Sequence, residues 1–129
     1  MAGIETEISR LKSKDVKVKR RAVRHLFEAD VPSALKGFIP LLTDEDIWFR
    51  TKSLEAHRRW ASTPSDLAPL MDNEQRLVGE LLSKIDAPEL AIELLENPDS
   101  VTRSFAAKSL SSKEAVSYTH LTLPTTQVV

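Results

Sequence analysis

Residues 15–26 read DVKVKRRAVRHL. Val18, Ala22, Val23 and Leu26, with Phe27 just beyond, recur at spacings of three and four, the period of a helix that buries one face. Asp15 stands where an N-cap belongs. Opposite the apolar stripe, Lys17, Arg20, Arg21 and Arg24 fall at i, i+3, i+4 and i+7 and form one basic stripe. The stretch is a helix with two faces, one for a core and one whose purpose is open.

The same period runs through nearly the whole chain. Ile4, Ile8 and Leu11 predict a first helix, closed by a polar break before Asp15. Pro32 suits the first turn of a third, with Ala34, Leu35, Phe38, Ile39, Leu41 and Leu42 inward and Pro40 interrupting it. A fourth runs through DEDIWFRTKSLEAHRRWA and stops before the capping signal STPSD at residues 62–66. Pro64 opens a short fifth with Leu67, Leu70 and Met71. Asp72 or Asn73 is expected to cap a sixth bearing Leu77, Val78, Leu81, Leu82 and Ile85. Pro88 begins a seventh with Leu90, Ala91, Leu94 and Leu95, and Asn97-Pro98-Asp99 turns into an eighth with Phe105, Ala106, Ala107 and Leu110.

Second helices of successive pairs share a pattern counted from an aspartate. Asp15, Asp46 and Asp99 are followed four residues later by a cation (Lys19, Arg50, Arg103) and seven later by a small residue (Ala22, Ser53, Ala106). Asp72, with Arg76 and Gly79 at the same offsets, gives a degenerate fourth instance whose apolar residues fit better two positions on. The aspartate caps its helix and can pair with a cation of an adjacent repeat, and the small residue allows close helix approach. A helix pair cannot bury its apolar face alone, so stacking must supply the core.

LLTDEDIWFRTKSL and LLENPDSVTRSFAAKSL, with DVKVKRRAVRHL behind them, resemble the HEAT-repeat family and its short HEAT-like variants. The family pattern is an apolar helix, an Asp-containing turn and a second helix reading roughly D-x-x-V-R-x-x-A. Lys19 stands where Arg is usual, and Phe49, Gln75 and Thr102 where Val is usual. The resemblance covers about residues 3–115. It implies an all-α chain folded as an α-solenoid of about four antiparallel helix pairs, roughly 3–29, 31–61, 64–85 and 87–115. It further implies a superhelix that binds macromolecules on a concave face lined by the second helices.

Composition bounds the partner. The chain has 129 residues, 41% of them hydrophobic, enough for about one domain's core. Cations number 18 and Asp plus Glu 19, which disfavours a generic polyanion binder. The charge is uneven: residues 1–60 carry 13 cations and 9 anions, net +4, and residues 61–129 carry 5 and 10, net −5. Such asymmetry can orient a partner or a neighbouring copy. No cysteine is present, excluding disulfides and thiolate metal sites. The N-terminal stretch lacks a signal peptide's apolar segment and no run approaches a membrane span, so a cytoplasmic location is expected.

No catalytic constellation emerges. His25, His57 and His120 lack the spacing of a helical metal pair, Gly3, Gly37 and Gly79 stand alone, and Asp44, Glu45 and Asp46 read as helix-start caps. No metal and no cofactor are expected. The basic stripe reads as a solvated face, as a surface for an acidic protein, or as a phosphate contact. Trp60 reads as core and Trp48 as a half-exposed anchor. Lys17, Arg20, Arg21, Arg24, Trp48, Lys52 and Arg59 are the candidate contact residues of a non-enzymatic interaction scaffold. The alternatives are a nucleic-acid-binding module like the HEAT-like DNA glycosylases, or a lyase-type or regulatory subunit of a larger enzyme.

The stretch 116–129, VSYTHLTLPTTQVV, abandons the repeat pattern. VSYTHL resembles one reading frame of the transposase end sequence used in library preparation. The segment is read as a non-native or disordered tail and left out of the fold reasoning; on that reading the natural chain continues past about Ala115.

Overall fold

The computed structural model describes residues 3–121, with side chains through Ser112. Among these it contains eight α-helices and no strand: α1 (Ile4–Arg10), α2 (Val16–Ala29), α3 (Leu35–Phe38), α4 (Ile47–Trp60), α5 (Pro64–Leu67), α6 (Gln75–Leu81), α7 (Pro88–Leu94) and α8 (Ser100–Leu121). The chain forms two compact units that divide between Ser62 and Thr63, at the boundary between the second and third expected pairs.

In the first unit, α1 packs on α2, and α4 packs on α3 and on the 3-10 turn Ile39–Thr43. Leu11, Ala22, Val23, Leu26, Phe38, Phe49 and Ala56 are its buried core. Pro32 and Pro40 both fall in the first turn of 3-10 segments, Pro32–Ala34 and Ile39–Thr43, which leaves α3 only four residues long. A proline cannot donate to the preceding turn, and the tighter winding changes which residues face inward. Ile39, expected to face the core, is therefore 39% exposed. At the far end of α2, Asp30 takes the left-handed conformation (φ 53°, ψ 63°), and its Oδ1 accepts the indole N–H of Trp60 at 2.8 Å. Phe27 stacks on Trp60 (centroids 5.0 Å apart) and meets Phe38 edge-on at 5.5 Å. Trp60 is core, as its position predicts.

In the second unit, α6 and α7 pack against α8. Leu67, Leu70, Leu77, Val78, Leu81, Leu82, Ile85, Ala91, Leu94 and Ala106 are buried. Leu95 and Ala107, expected inward, are exposed, since each lies just off the seam that buries its neighbour Leu94 or Ala106. Thr63 and Asp66 close a reciprocal capping box at the start of α5. The sixth helix corrects the sequence reading. Neither Asp72 nor Asn73 caps it; Glu74 is the N-cap residue, without a side-chain cap bond. Past the 3-10 turn Ala68–Met71 the chain stays coiled, with the Glu74 N–H donating to the Leu70 carbonyl at 2.8 Å. Asp72 is consequently still coiled (φ −69°, ψ −45°), whereas a capping aspartate is extended, as Asp15 (ψ 111°) and Asp46 (ψ 120°) are. The cap is shifted by two residues, so Arg76 and Gly79 do not hold the positions of Arg50 and Ser53, and the offsets counted from Glu74 fall on Val78 and Leu81. Helix α8 continues to Leu121; of the segment 116–129, residues 122–129 lie outside the described residues.

The small residues Ala22, Ser53 and Ala106 are fully buried. Ser53 adds a bond, its Oγ donating to the Phe38 carbonyl at 2.6 Å. Gly79 fills the small-residue role by another route: a Cβ there would lie 3.0 Å from Phe105 Cβ and 3.2 Å from its ring. Ser53→Ala should cost about 1–3 kcal/mol in urea unfolding because a buried bond is lost. Gly79→Ala should also destabilise, although helix propensity alone predicts a gain of about 1 kcal/mol; a raised midpoint would contradict the close approach to Phe105.

Candidate functional site

Three helices, α2, α4 and α8, begin on the same hydrogen-bonded turn. The capping aspartate accepts from the backbone two residues on: Asp15 from Lys17 N–H (2.9 Å), Asp46 from Trp48 N–H (2.9 Å) and Asp99 from Val101 N–H (3.4 Å). Two residues before each aspartate, a side-chain oxygen accepts the aspartate's own N–H: Ser13 Oγ at 3.1 Å, Asp44 Oδ1 at 2.8 Å and Asn97 Oδ1 at 2.7 Å. This preceding residue escaped the sequence reading. Its signal was available, because Ser13, Asp44 and Asn97 share the side-chain acceptor that stabilises such turns.

The cation at offset four closes the same turn. Arg50 Nη1 donates to the carbonyls of Asp44 (2.5 Å) and Glu45 (3.1 Å), and Arg103 Nη1 to those of Asn97 and Pro98 (2.8 Å each). Each arginine thus satisfies the carbonyls six and five residues before it. Lys19 differs: it donates instead to Asp44 Oδ2 of the next turn, a pair with both side chains 16% exposed. Asn97 makes the matching reach, its Nδ2 donating to Gln75 Oε1 on α6 at 2.7 Å. The residue at minus two of α4 and of α8 therefore also reaches the helix two before its own, by an ion pair to α2 in the first unit and an amide pair to α6 in the second.

The candidate contact residues separate into two groups around this frame. Arg20, Trp48, Lys52 and Arg59 meet along α2 and α4. The Arg20 guanidinium lies 5.2 Å from the Trp48 ring centre and pairs with Asp46 at 3.7 Å, so this capping aspartate meets a cation of α2. Lys52 lies 5.5 Å from Trp48 and 5.6 Å from Phe27, and pairs with Glu55 at 3.6 Å. Arg59 lies 5.6 Å from Phe27 and pairs with Asp30 at 3.5 Å. Such cation–ring contacts are worth about 0.5–1 kcal/mol when exposed. Trp48, half-buried, also meets Phe49 edge-on at 5.1 Å. Lys17, Arg21 and Arg24 form the second group. They are exposed on the outward face of α2, and no acidic side chain among the described residues pairs with them.

The sequence reading missed Phe27 as a platform for two cations and Asp30 as a partner of Arg59. It also missed Glu7, buried on α1, which accepts from Arg10 Nη1 (2.5 Å) and faces His25 Nδ1 (3.1 Å). In the second unit a polar cleft of about 600 Å³ is lined by Asp72, Arg76, Glu93, Glu96, Asp99 and Thr102 among others. No group of three His, Cys, Asp or Glu able to hold a metal is present among the described residues, and none of their helices is long and apolar enough to cross a membrane.

Two turn carboxylates are held below the ordinary carboxylate range. At Asp44 burial pushes the other way, but the hydrogen bond from Lys19, the Asp46 N–H and the charges of Lys19 and Arg50 outweigh it. At Asp99 the Thr102 hydroxyl is the main cause, aided by the Val101 and Thr102 amides and by Arg76, against a smaller opposing effect of burial.

No family model matches the chain, and neither a curated protein nor a solved structure matches it.

A depressed carboxylate contributes stability that is full above its unfolded pKa and lost as pH falls through the folded one. Thermal unfolding should therefore be steady above about pH 5 and fall below it. Asp44→Asn keeps the turn acceptor, as Asn97 does naturally, but removes the charge that Lys19 meets. This variant should be less stable at neutral pH and show a shallower acid decline; an unchanged pH profile would contradict the assignment.

Proposed function

We propose that the chain is a non-catalytic interaction scaffold, built of HEAT-like repeats stacked as an α-solenoid and working in the cytoplasm, that docks an acidic protein surface on the outward face of α2. Recurrence of one turn geometry at Asp15, Asp46 and Asp99 supports the repeat reading. The observation that carries the docking reading is the contrast between the two cation groups. Arg20, Lys52 and Arg59 are engaged by carboxylates and rings of their own unit, whereas Lys17, Arg21 and Arg24 stand exposed without an acidic partner among the described residues.

The nucleic-acid alternative is weaker on a specific point. Stacking of bases needs a free aromatic face. Trp48 already has Arg20 and Lys52 against it, and Phe27 has Lys52 and Arg59.

The test uses the full chain, a helical peptide with glutamates spaced four and three apart, and a labelled DNA duplex. The peptide should bind in a salt-sensitive manner, and Arg21→Glu with Arg24→Glu should weaken it about tenfold, since rim pairs contribute about 0.2–1 kcal/mol each. Peptide binding unaffected by the double reversal would remove this face. Duplex binding tighter than peptide binding, and lost in the same variant, would transfer the face to nucleic acid.

A further inference from the structure

The unpaired cations of α2 have a counterpart in the second unit. Glu89 and Glu93 on α7 and Glu96 in the turn that follows are exposed, and among the described residues no cation pairs with them. Lys17, Arg21 and Arg24 are spaced four and then three apart, and Glu89, Glu93 and Glu96 have the same spacing. The fourth position of each frame is Arg20 on α2 and Ile92 on α7, the latter 58% exposed. Past the end of α7 the backbone stays coiled, with Leu95 N–H donating to Ile92 and Glu96 N–H to Glu93, so Glu96 keeps close to helical register.

We propose that the acidic surface docked by α2 is the α7 face of a second copy of this chain, the two helices lying antiparallel. This inference rests on the docking reading above and names its partner. The antiparallel direction follows from helix geometry. With about 1.5 Å of rise per residue, antiparallel apposition of the two frames sets Lys17 opposite Glu96, Arg21 opposite Glu93 and Arg24 opposite Glu89. It also puts Ile92 on the flank occupied by Arg20 and Trp48 and Glu93 on the flank of Arg21, so the charged positions face one another and the one apolar member of the acidic frame stays off the Arg21 side. Parallel apposition would place Ile92 on the Arg21 flank instead. Glu93 and Glu96 also line the polar cleft with Asp72 and Asp99, four carboxylates against the one cation Arg76, so the negative field extends beyond the contact.

A single helix-on-helix contact buries less than the roughly 1,000 Å² of a stable interface, so the association is weak and reversible. Each pair is exposed and screened by salt. Each copy presents a cationic α2 and an acidic α7, so the contact is heterologous: it joins unlike faces, and further copies close into a ring where the rotation allows or otherwise add as an open chain.

Sedimentation velocity of the full chain over rising concentration reads the contact directly. The expected result is a sedimentation coefficient that rises with concentration in about 50 mM salt and stays at the monomer value in about 500 mM salt. Arg21→Glu with Arg24→Glu makes both faces acidic, and Glu89→Lys with Glu93→Lys makes both basic. Each variant alone should remain monomeric while keeping the helical circular dichroism of the wild type, because all four positions are exposed. Mixed one to one, the two variants should associate, since each then finds the opposite charge on the other. Failure of the mixture to associate, with both variants folded, overturns the proposal. If the wild type stays monomeric yet still binds the glutamate peptide, the second copy is not the partner and the docking face stands. If peptide binding is lost too, both readings fail.

Discussion

Asp44 ties the start of α4 to α2 by one bond and closes the turn before α4 by two more. Its Oδ2 takes Lys19 of α2, its Oδ1 takes the N–H of the capping residue Asp46, and its carbonyl takes Arg50. A helix start leaves backbone amides without intrahelical partners, and the turn before it leaves carbonyls in the same state. Both sets are closed here by side chains of the same short segment, so the turn can sit at the surface without unsatisfied groups. Fixing that turn sets where Trp48 and Lys52 emerge beside Arg20 and Phe27. In the second unit Asn97 repeats the arrangement without charge, reaching Gln75 in place of a lysine.

The helices were legible in the sequence because capping and periodicity are local. Asp15, Asp46 and Asp99 cap where their side chains predict, and the apolar stripe of α2 is buried at Ala22, Val23 and Leu26. What failed was decided by the backbone upstream. Asp72 has the right residue type, but the preceding 3-10 turn keeps it coiled and passes the cap position to Glu74. Ile39 has the right spacing for the core and the wrong winding beneath it.

The candidate face was legible only in part for a related reason. Helical spacing places Lys17, Arg20, Arg21 and Arg24 on one side of α2, but it does not say which of them a neighbouring helix will claim. Packing of α4 beside α2 draws Arg20 onto Trp48 and Asp46 and leaves the others outward. Long-range partners such as Asp30 for Arg59, or Phe27 for Lys52, depend on where α2 ends and how α4 crosses it, which no local pattern records. A stripe of four like charges is thus one structural cation and three with no acidic partner among the described residues.

Asp44 joins two helices as well as closing a turn, and the coupling between Lys19 and Asp44 tests that most directly. A double-mutant cycle with Lys19→Met and Asp44→Asn, read as unfolding free energies at neutral pH, isolates the pair from the turn bonds that Asn retains. With both side chains 16% exposed, the pair should couple by about 1 kcal/mol or more, above the range of ordinary surface pairs. Additive effects, with a coupling near zero, would mean that α2 and α4 are held by core packing alone and that Asp44 is only a turn residue.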